Sequence, residues 1–232
     1  MLRIATSLIA MITALNIIFA IPAYSEEFSP LNIYFARHGE TLGNVTHKHT
    51  RFNDRTFSDK GVRQVKELTS KLGEIQFDHI LVSPVYRAMN TVFPYLKKYN
   101  LKAEIWPELA ECCWQKERGS KASHIGRGNR IEVESDMQSY FIFADKSDSH
   151  KFKARDYADG ILMVSTAFER VIKNYSGSGK TILMVGHYHS GGRLIELLQR
   201  YYPEGNYQLS NGKITQLQEN PDGSFNLIAS NY

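Results

Sequence analysis

The sequence predicts an α/β protein: a three-layer sandwich with a mostly parallel central sheet, helices on both faces and a C-terminal β-hairpin. Three observations carry that reading. Short apolar runs alternate with segments of helical periodicity, the rhythm of a parallel sheet covered on both faces. The last stretch, "KITQLQENPDGSFNLIAS", breaks the rhythm with two short strands around Asn220-Pro221-Asp222-Gly223, a hairpin signal. A content of 42% hydrophobic and 12% aromatic residues over 232 positions is enough for an ordinary core.

Residues 1–25 are set apart from the fold. "MLRIATSLIAMITALNIIFAIPAYS" has one charge, Arg3, then a long apolar run, then Pro22 and the small residues Ala23 and Ser25. That order reads as a secretory signal peptide cut before Glu26, giving an exported (periplasmic or secreted) domain over 26–232. The run from Ile4 to Ile21 approaches membrane-spanning length, but Thr6, Ser7, Thr13 and Asn16 dilute it. Membrane contact is therefore expected only during export.

"NIYFA" (Asn32 to Ala36) reads as a buried strand. Ser58 is a suitable N-cap for the helix that follows, with Val62, Val65, Leu68 and Leu72 spaced for one face. "DHILVSP" is the next strand, Val85 to Tyr99 the next helix, and "AEIWPELAE" an extended segment. From Trp114 to Tyr157 the rhythm is lost. "IEVESDMQSYFIFAD" could hold a helix, and the whole stretch suits a lid or insertion. Ala158 to Tyr175 is helical, with Ile161, Val164, Phe168 and Ile172 on one face. "KTILMVGH" is the most apolar strand, and "GGRLIELLQRYY" opens the last long helix. Cys112 and Cys113 are adjacent, a spacing that rarely meets disulfide geometry, so no staple is expected. The formal charge of +4 is mild and calls for no nucleic-acid partner.

Ligands of open α/β sheets gather beyond the carboxyl ends of the strands. Arg37, His38 and Gly39 follow the first strand. Ser83 and Arg87 follow the second. Glu108 and Glu111 end the extended segment, and Gly186, His187, Tyr188 and His189 end the most apolar strand. Arginines that bind phosphate oxygens in a bidentate fork, beside a neutral imidazole, suit phosphoryl transfer. Each arginine about 4 Å from a histidine disfavours the charged ring by about 4 kcal/mol at an effective dielectric of about 20. A carboxylic acid is then needed to protonate the leaving alcohol. A glycine beside the nucleophile lets phosphate approach the backbone.

"ARHGETLGN" resembles the signature of the histidine phosphatase superfamily, with its phosphoglycerate mutase-like fold. "LVSPVYRAMNT", "PELAE" and "LMVGHYHSGG" follow in that family's order. The resemblance runs from Asn32 onward and is weak only between Trp114 and Tyr157. It implies a phosphohistidine at His38 and an oxyanion pocket of Arg37, Arg87 and His187, with Asn44 as a further contact. It also implies that Glu111 is the proton donor and then the base for water. Tyr188 is a departure, since many members carry a small residue there; it would narrow the pocket or stack on substrate. Glu108, three residues before Glu111, would point to the opposite face of an extended chain.

The resulting expectation is a phosphomonoesterase acting on small phosphate esters without metal or other cofactor. A mutase on the same fold and a silent phosphate-binding module are the alternatives. "GSGKT" (Gly177 to Thr181) mimics the end of a P-loop, but it precedes a strand and Asn174 replaces the first glycine. The histidine pairs His47/His49 and His187/His189 lack further ligands of fitting spacing. Between Trp114 and Arg130, Lys116, Arg118, Lys121, Arg127 and Arg130 stand against Glu117 alone; this stretch is either a solvated loop or a lid whose cations favour a second anionic group on the substrate.

Overall fold

A computed structural model describes residues 28–114 and 125–232. The signal-peptide reading, and the lid cations Lys116, Arg118 and Lys121, lie outside the described residues. In chain order the elements are β1 (Asn32–Arg37), α1 (Leu42–Thr46), α2 (Arg51–Arg55), α3 (Asp59–Leu72), β2 (His79–Val82), α4 (Tyr86–Tyr99) and β3 (Ala103–Ile105). They continue with β4 (Gly126–Arg130), β5 (Phe141–Ile142), β6 (His150–Lys153), α5 (Tyr157–Tyr175), β7 (Thr181–Gly186), α6 (His189–Leu198), β8 (Ile214–Glu219) and β9 (Phe225–Ala229). The main sheet has the order β5-β3-β2-β7-β1-β8-β9. Its first five strands are parallel, and β8 and β9 close the other edge as an antiparallel hairpin.

Alternation along the central strand β7 divides the core in two. Ile182 and Met184 join Ile33, Phe35 and the inner faces of α5 and α6. Leu183 and Val185 join Ala36, Val82 and the inner faces of α3 and α4. Both faces of the sheet are thus buried, which is why its strands read as continuous apolar runs. β1 and β7 pair in parallel with Arg37 opposite Gly186. One residue further on, His38 and His187 must leave the sheet side by side.

Several details differ from the sequence reading. Val65, Leu68 and Leu72 are buried on α3, whereas Val62 is 58% exposed. The buried stripe of α5 is Met163, Val164, Ala167, Val171 and Tyr175, and Ile161, Phe168 and Ile172 flank it. α6 starts two residues earlier than expected and stops at Leu198, ahead of Arg200 at φ 62°. No α-helix forms within Ile131–Asp145; a single 3-10 turn (Gln138–Tyr140) feeds the edge strand β5. The buried residues there, Ile131, Met137 and Phe141, are six and four apart, a spacing that no helical face repeats. The extended segment after β3 becomes a 3-10 turn at Pro107–Leu109, with Pro107 opening it. α1 and α2, five residues each, are too short to show a period. Part of the proposed lid is the ribbon of β4 and β6, where Arg127 lies over Phe152. Among the described residues no helix is long and apolar enough to cross a membrane.

The cysteines also differ from expectation. The structure pairs Cys112 with Cys113, and Cys113 takes a left-handed backbone conformation at φ 66°. The distortion foreseen for such a pair is present; the bond forms nonetheless and joins no distant parts of the chain.

Candidate active site

β1 ends in Arg37 and hands the chain to His38, whose N–H donates to Gly186 O of the neighbouring strand at 3.0 Å. Asn211, in the loop before β8, donates its side-chain amide to His38 O at 2.9 Å. The imidazole lies 2.8 Å (Nδ1) from Gly39 O and 3.0 Å (Nε2) from Arg87 Nε. A carbonyl can only accept and a guanidinium can only donate. The proton is thereby assigned to Nδ1, and Nε2 carries a free lone pair in a neutral ring. Burial pushes the His38 pKa well below its ordinary value, and Arg87 and then Arg37 add to this against the Gly39 hydrogen bond. The side chain is a neutral imidazole with a fixed tautomer and its lone pair on Nε2.

His187, at the end of β7, is also fully buried, with its ring centroid 5.2 Å from that of His38. Burial, Arg87, His38 and Arg37 push its pKa far down in that order. Its Nε2 lies 2.7 Å from Ser83 Oγ, which accepts the Val85 N–H at 3.2 Å. A hydroxyl oxygen has two lone pairs, so Ser83 can either donate to Nε2 or accept from it, and the contact leaves open which ring nitrogen of His187, Nε2 or Nδ1, carries the proton. That Nδ1 is buried without a hydrogen-bond partner, and so is Arg37 Nε. Buried donors are normally satisfied. Arg37 Nε–H is an unsatisfied donor, and His187 Nδ1 is a second buried nitrogen without a partner, both from strand ends next to His38.

Arg37 is held by Nη1 donating to Leu209 O at 2.7 Å, with its guanidinium 4.9 Å above the Tyr188 ring. Tyr188 therefore orients a cation as well as lining the pocket. Arg87 sits in the first turn of α4. One turn later, Thr91 Oγ1 donates to Arg87 O at 2.7 Å and accepts the Gly39 N–H at 3.0 Å. Thr91 thus couples the arginine to the nucleophile's loop. The Gly39 N–H is spent on that bond. The reason for glycine lies on the opposite side, where a Cβ would meet Val65 Cγ2 at 2.8 Å. Gly39 thus lets α3 pack close against the loop. Glu40 shapes the turn by accepting from Ser58 Oγ and Lys60 Nζ.

Glu111 lines the same pocket as His38 and Arg87. Its Oε1 accepts the N–H groups of His189 at 3.1 Å, Ser190 at 3.0 Å and Cys112 at 3.3 Å. α6 begins after Tyr188, a residue with no capping side chain. Glu111 supplies that cap from another segment and is itself oriented by the helix N-terminus. Glu108 is excluded from the pocket: it is buried in an ion pair with Arg170 at 2.8 Å, which also binds Asp148. The period-two argument that separated the two glutamates fails at the Pro107 turn, yet they do part company. Asn44 lines the pocket, with its Oδ1 accepting the Thr41 N–H at 3.1 Å in the cap of α1, which leaves its amide N–H groups for a ligand.

The pocket measures about 570 Å³ and is completed by His49, Asp54, Val85, Trp114 and His189. His49 Nδ1 lies 2.9 Å from Asp54 Oδ1. Burial lowers the His189 pKa, with Glu111 opposing. Sequence reasoning did not place His49, Asp54, Trp114, Thr91 or Asn211 at the site, and it put Ser83 on the rim without a partner. Ser83 and Thr91 carried a usable signal: Ser83 stands at a strand end beside His187, and Thr91 four residues after Arg87.

Over 81 residues the chain is 32% identical to the adenosylcobalamin/alpha-ribazole phosphatase of Salmonella typhimurium and 30% identical to that of Escherichia coli. Those matches span 35% of this chain and 40% of the relatives' length. Among solved structures, the alpha-ribazole phosphatase of Shigella flexneri aligns with a TM-score of 0.61 at 20% identity, covering 87% of this chain and 96% of that one. A phosphoglycerate mutase from Bacillus anthracis aligns with a TM-score of 0.57 at 19% identity, covering 88% and 94%. The shared property at such identities is the fold. The sequence also matches the family description across residues 33–231, and the chain belongs to the histidine phosphatase superfamily, branch 1.

Proposed function

We propose that the protein is an exported phosphomonoesterase that hydrolyses small phosphate esters through a phosphohistidine at His38. The observation that carries this is the neutral, tautomer-fixed His38 beside two buried nitrogens with no protein partner, Arg37 Nε and His187 Nδ1. Non-bridging phosphoryl oxygens supply the acceptor that the Arg37 Nε–H lacks, and one for His187 with its proton on Nδ1. Export rests on the order of charge, apolar run and small residues over positions 1–25.

In the first step His38 Nε2 forms a bond to phosphorus while the bond to the leaving oxygen breaks, and Glu111 gives that oxygen its proton. Arg37, Arg87, His187 and the Asn44 amide hold the charge on the phosphoryl oxygens. Arg87 Nε–H, which occupies His38 Nε2 in the free enzyme, turns to the phosphate as the nucleophile is released. In the second step Glu111, now a carboxylate, takes a proton from water. That water attacks phosphorus and returns the lone pair to His38.

The names of the relatives put alpha-ribazole phosphate first among candidate esters. The test is phosphate release by the purified mature protein from an aryl phosphate and from a panel headed by that ester. Because two arginines supply the positive charge, the rate should persist in EDTA and fall with vanadate. Absence of turnover across the panel, or dependence on an added divalent ion, would sink the proposal.

A further inference from the structure

Cys112 and Cys113 lie between two residues of the pocket, Glu111 and Trp114. Both cysteines are buried, and their sulfurs are paired across a single peptide bond. The pair stands directly on α5: a Cβ on Gly160 would lie 2.6 Å from Cys113 Sγ and 3.1 Å from Cys112 Cβ. Cys112 Sγ lies 3.4 Å from Gly160 O. The floor beneath the sulfurs is therefore helix backbone, which cannot yield as a side chain can.

On the other side, the Cys112 N–H is one of the three donors that orient the Glu111 carboxylate. Cys113 at φ 66° sets the direction in which Trp114 leaves. L-residues avoid that region unless something imposes it. Closing adjacent cysteines into a ring leaves the peptide between them few conformations. Two separate thiols would have to stand at van der Waals distance from each other. With α5 fixed below, that expansion is taken up by the Glu111–Trp114 backbone.

We infer that the paired Cys112 and Cys113 are positioning residues for the reaction. Their disulfide holds the proton donor and the adjoining wall of the pocket in the working arrangement, and reduction loosens both. The inference rests on the phosphatase reading, with Glu111 as proton donor. The step is a two-electron thiol–disulfide exchange: a dithiol such as dithiothreitol gives up two electrons and two protons, becoming a cyclic disulfide, and Cys112 and Cys113 become thiols.

The experiment uses the mature protein purified without reductant. Alkylation under denaturing conditions should find no free thiol before dithiothreitol treatment and two after it. Reduction should lower kcat for an alkyl phosphate by roughly tenfold. It should leave the single-turnover rate of phosphoryl transfer from an aryl phosphate, whose leaving group needs no proton, within about twofold. Re-oxidation should restore the rate. The double variant Cys112→Ala/Cys113→Ala should behave as the reduced enzyme with or without dithiol. Two alkylatable thiols in the untreated protein would overturn the inference, as would equal alkyl and aryl rates before and after verified reduction. Turnover of the aryl phosphate by the oxidised protein separately tests the phosphatase reading, so the two can fail independently.

Discussion

The two halves of the pocket are built in different ways. The phosphoryl half is lined by His38, Arg37 and Arg87, with His187 buried behind His38 and outside the lining, all at or beside the ends of β1, β2 and β7, and each ring or guanidinium is held by a named partner. The leaving-group half is made of His49, Asp54, Glu111 and Trp114, carried by α2, by irregular chain and by the stretch following a 3-10 turn. His38 is 1% exposed and Trp114 is 58% exposed. On the proposed mechanism the sheet fixes the groups that hold phosphate, His49, Asp54 and Trp114 around the mouth are left to select the alcohol, and Glu111 serves the chemistry from the variable side.

If that division holds, substitutions in the first half should remove turnover from every substrate, and those in the second should discriminate among them. The largest effect is expected for His38→Ala: a loss of at least about a thousandfold in kcat on alkyl and aryl phosphates alike. Its melting transition should remain cooperative, because the ring packs at the sheet rim outside the two apolar clusters. A residual rate that depends on the leaving group would blur the boundary between the halves.

Glu111→Gln should cost about a hundredfold or more on alkyl phosphates. Its cost should be smaller on the first step with aryl phosphates, which leave as anions. Single-turnover and steady-state rates on the two ester classes separate these effects. Glu108→Gln, which breaks the buried pair with Arg170, should instead lower stability without leaving-group dependence. The opposite pattern would transfer the proton-donor role to Glu108.

The phosphoryl half should also leave a mark on stability. His38 and His187 have folded-state pKa values pushed well below the ordinary histidine value, chiefly by burial. The unfolded chain therefore binds more protons than the folded one below about pH 6.5. Stability is fully present above that value and is lost as pH falls towards the folded pKa values, at about 1.4 kcal/mol per pH unit for each such histidine. Denaturant melts between pH 7 and 5 check this, and His38→Ala should flatten the slope. A slope unchanged by that variant would mean that the ring is not held neutral.

The smallest effect belongs to Trp114→Ala. Removing an exposed ring from the mouth should raise KM a few-fold for bulky or aromatic esters and leave kcat nearly unchanged. Equal KM shifts for small and large esters would show that Trp114 supports the pocket without touching the alcohol.

The same division explains what could be read from the sequence. His38, Arg87 and His187 were legible because each follows a strand whose apolar run is unmistakable, and the parallel register of β1 and β7 brings two of them together. Glu111 was legible by position, but the reason for its orientation was not: its partners are N–H groups of α6, far along the chain. Gly39 has a second requirement for glycine, its packing against α3, which no local pattern reveals. Asp54 and His49 lie on or beside a five-residue helix with no period to detect. The pairing of Cys112 with Cys113 was discounted on general geometry, and the left-handed backbone at Cys113 accommodates it.

The most direct measurement is to trap the covalent intermediate. The purified protein, mixed rapidly with a phosphate ester labelled on phosphorus and quenched in base, should retain label that is lost in acid, and peptide mapping should place it on His38. The label should be absent from His38→Ala and should persist longer in Glu111→Gln, which activates water poorly. Label that survives acid and is lost in base, as a phosphoserine is, or label on any residue other than His38, would contradict a phosphohistidine mechanism.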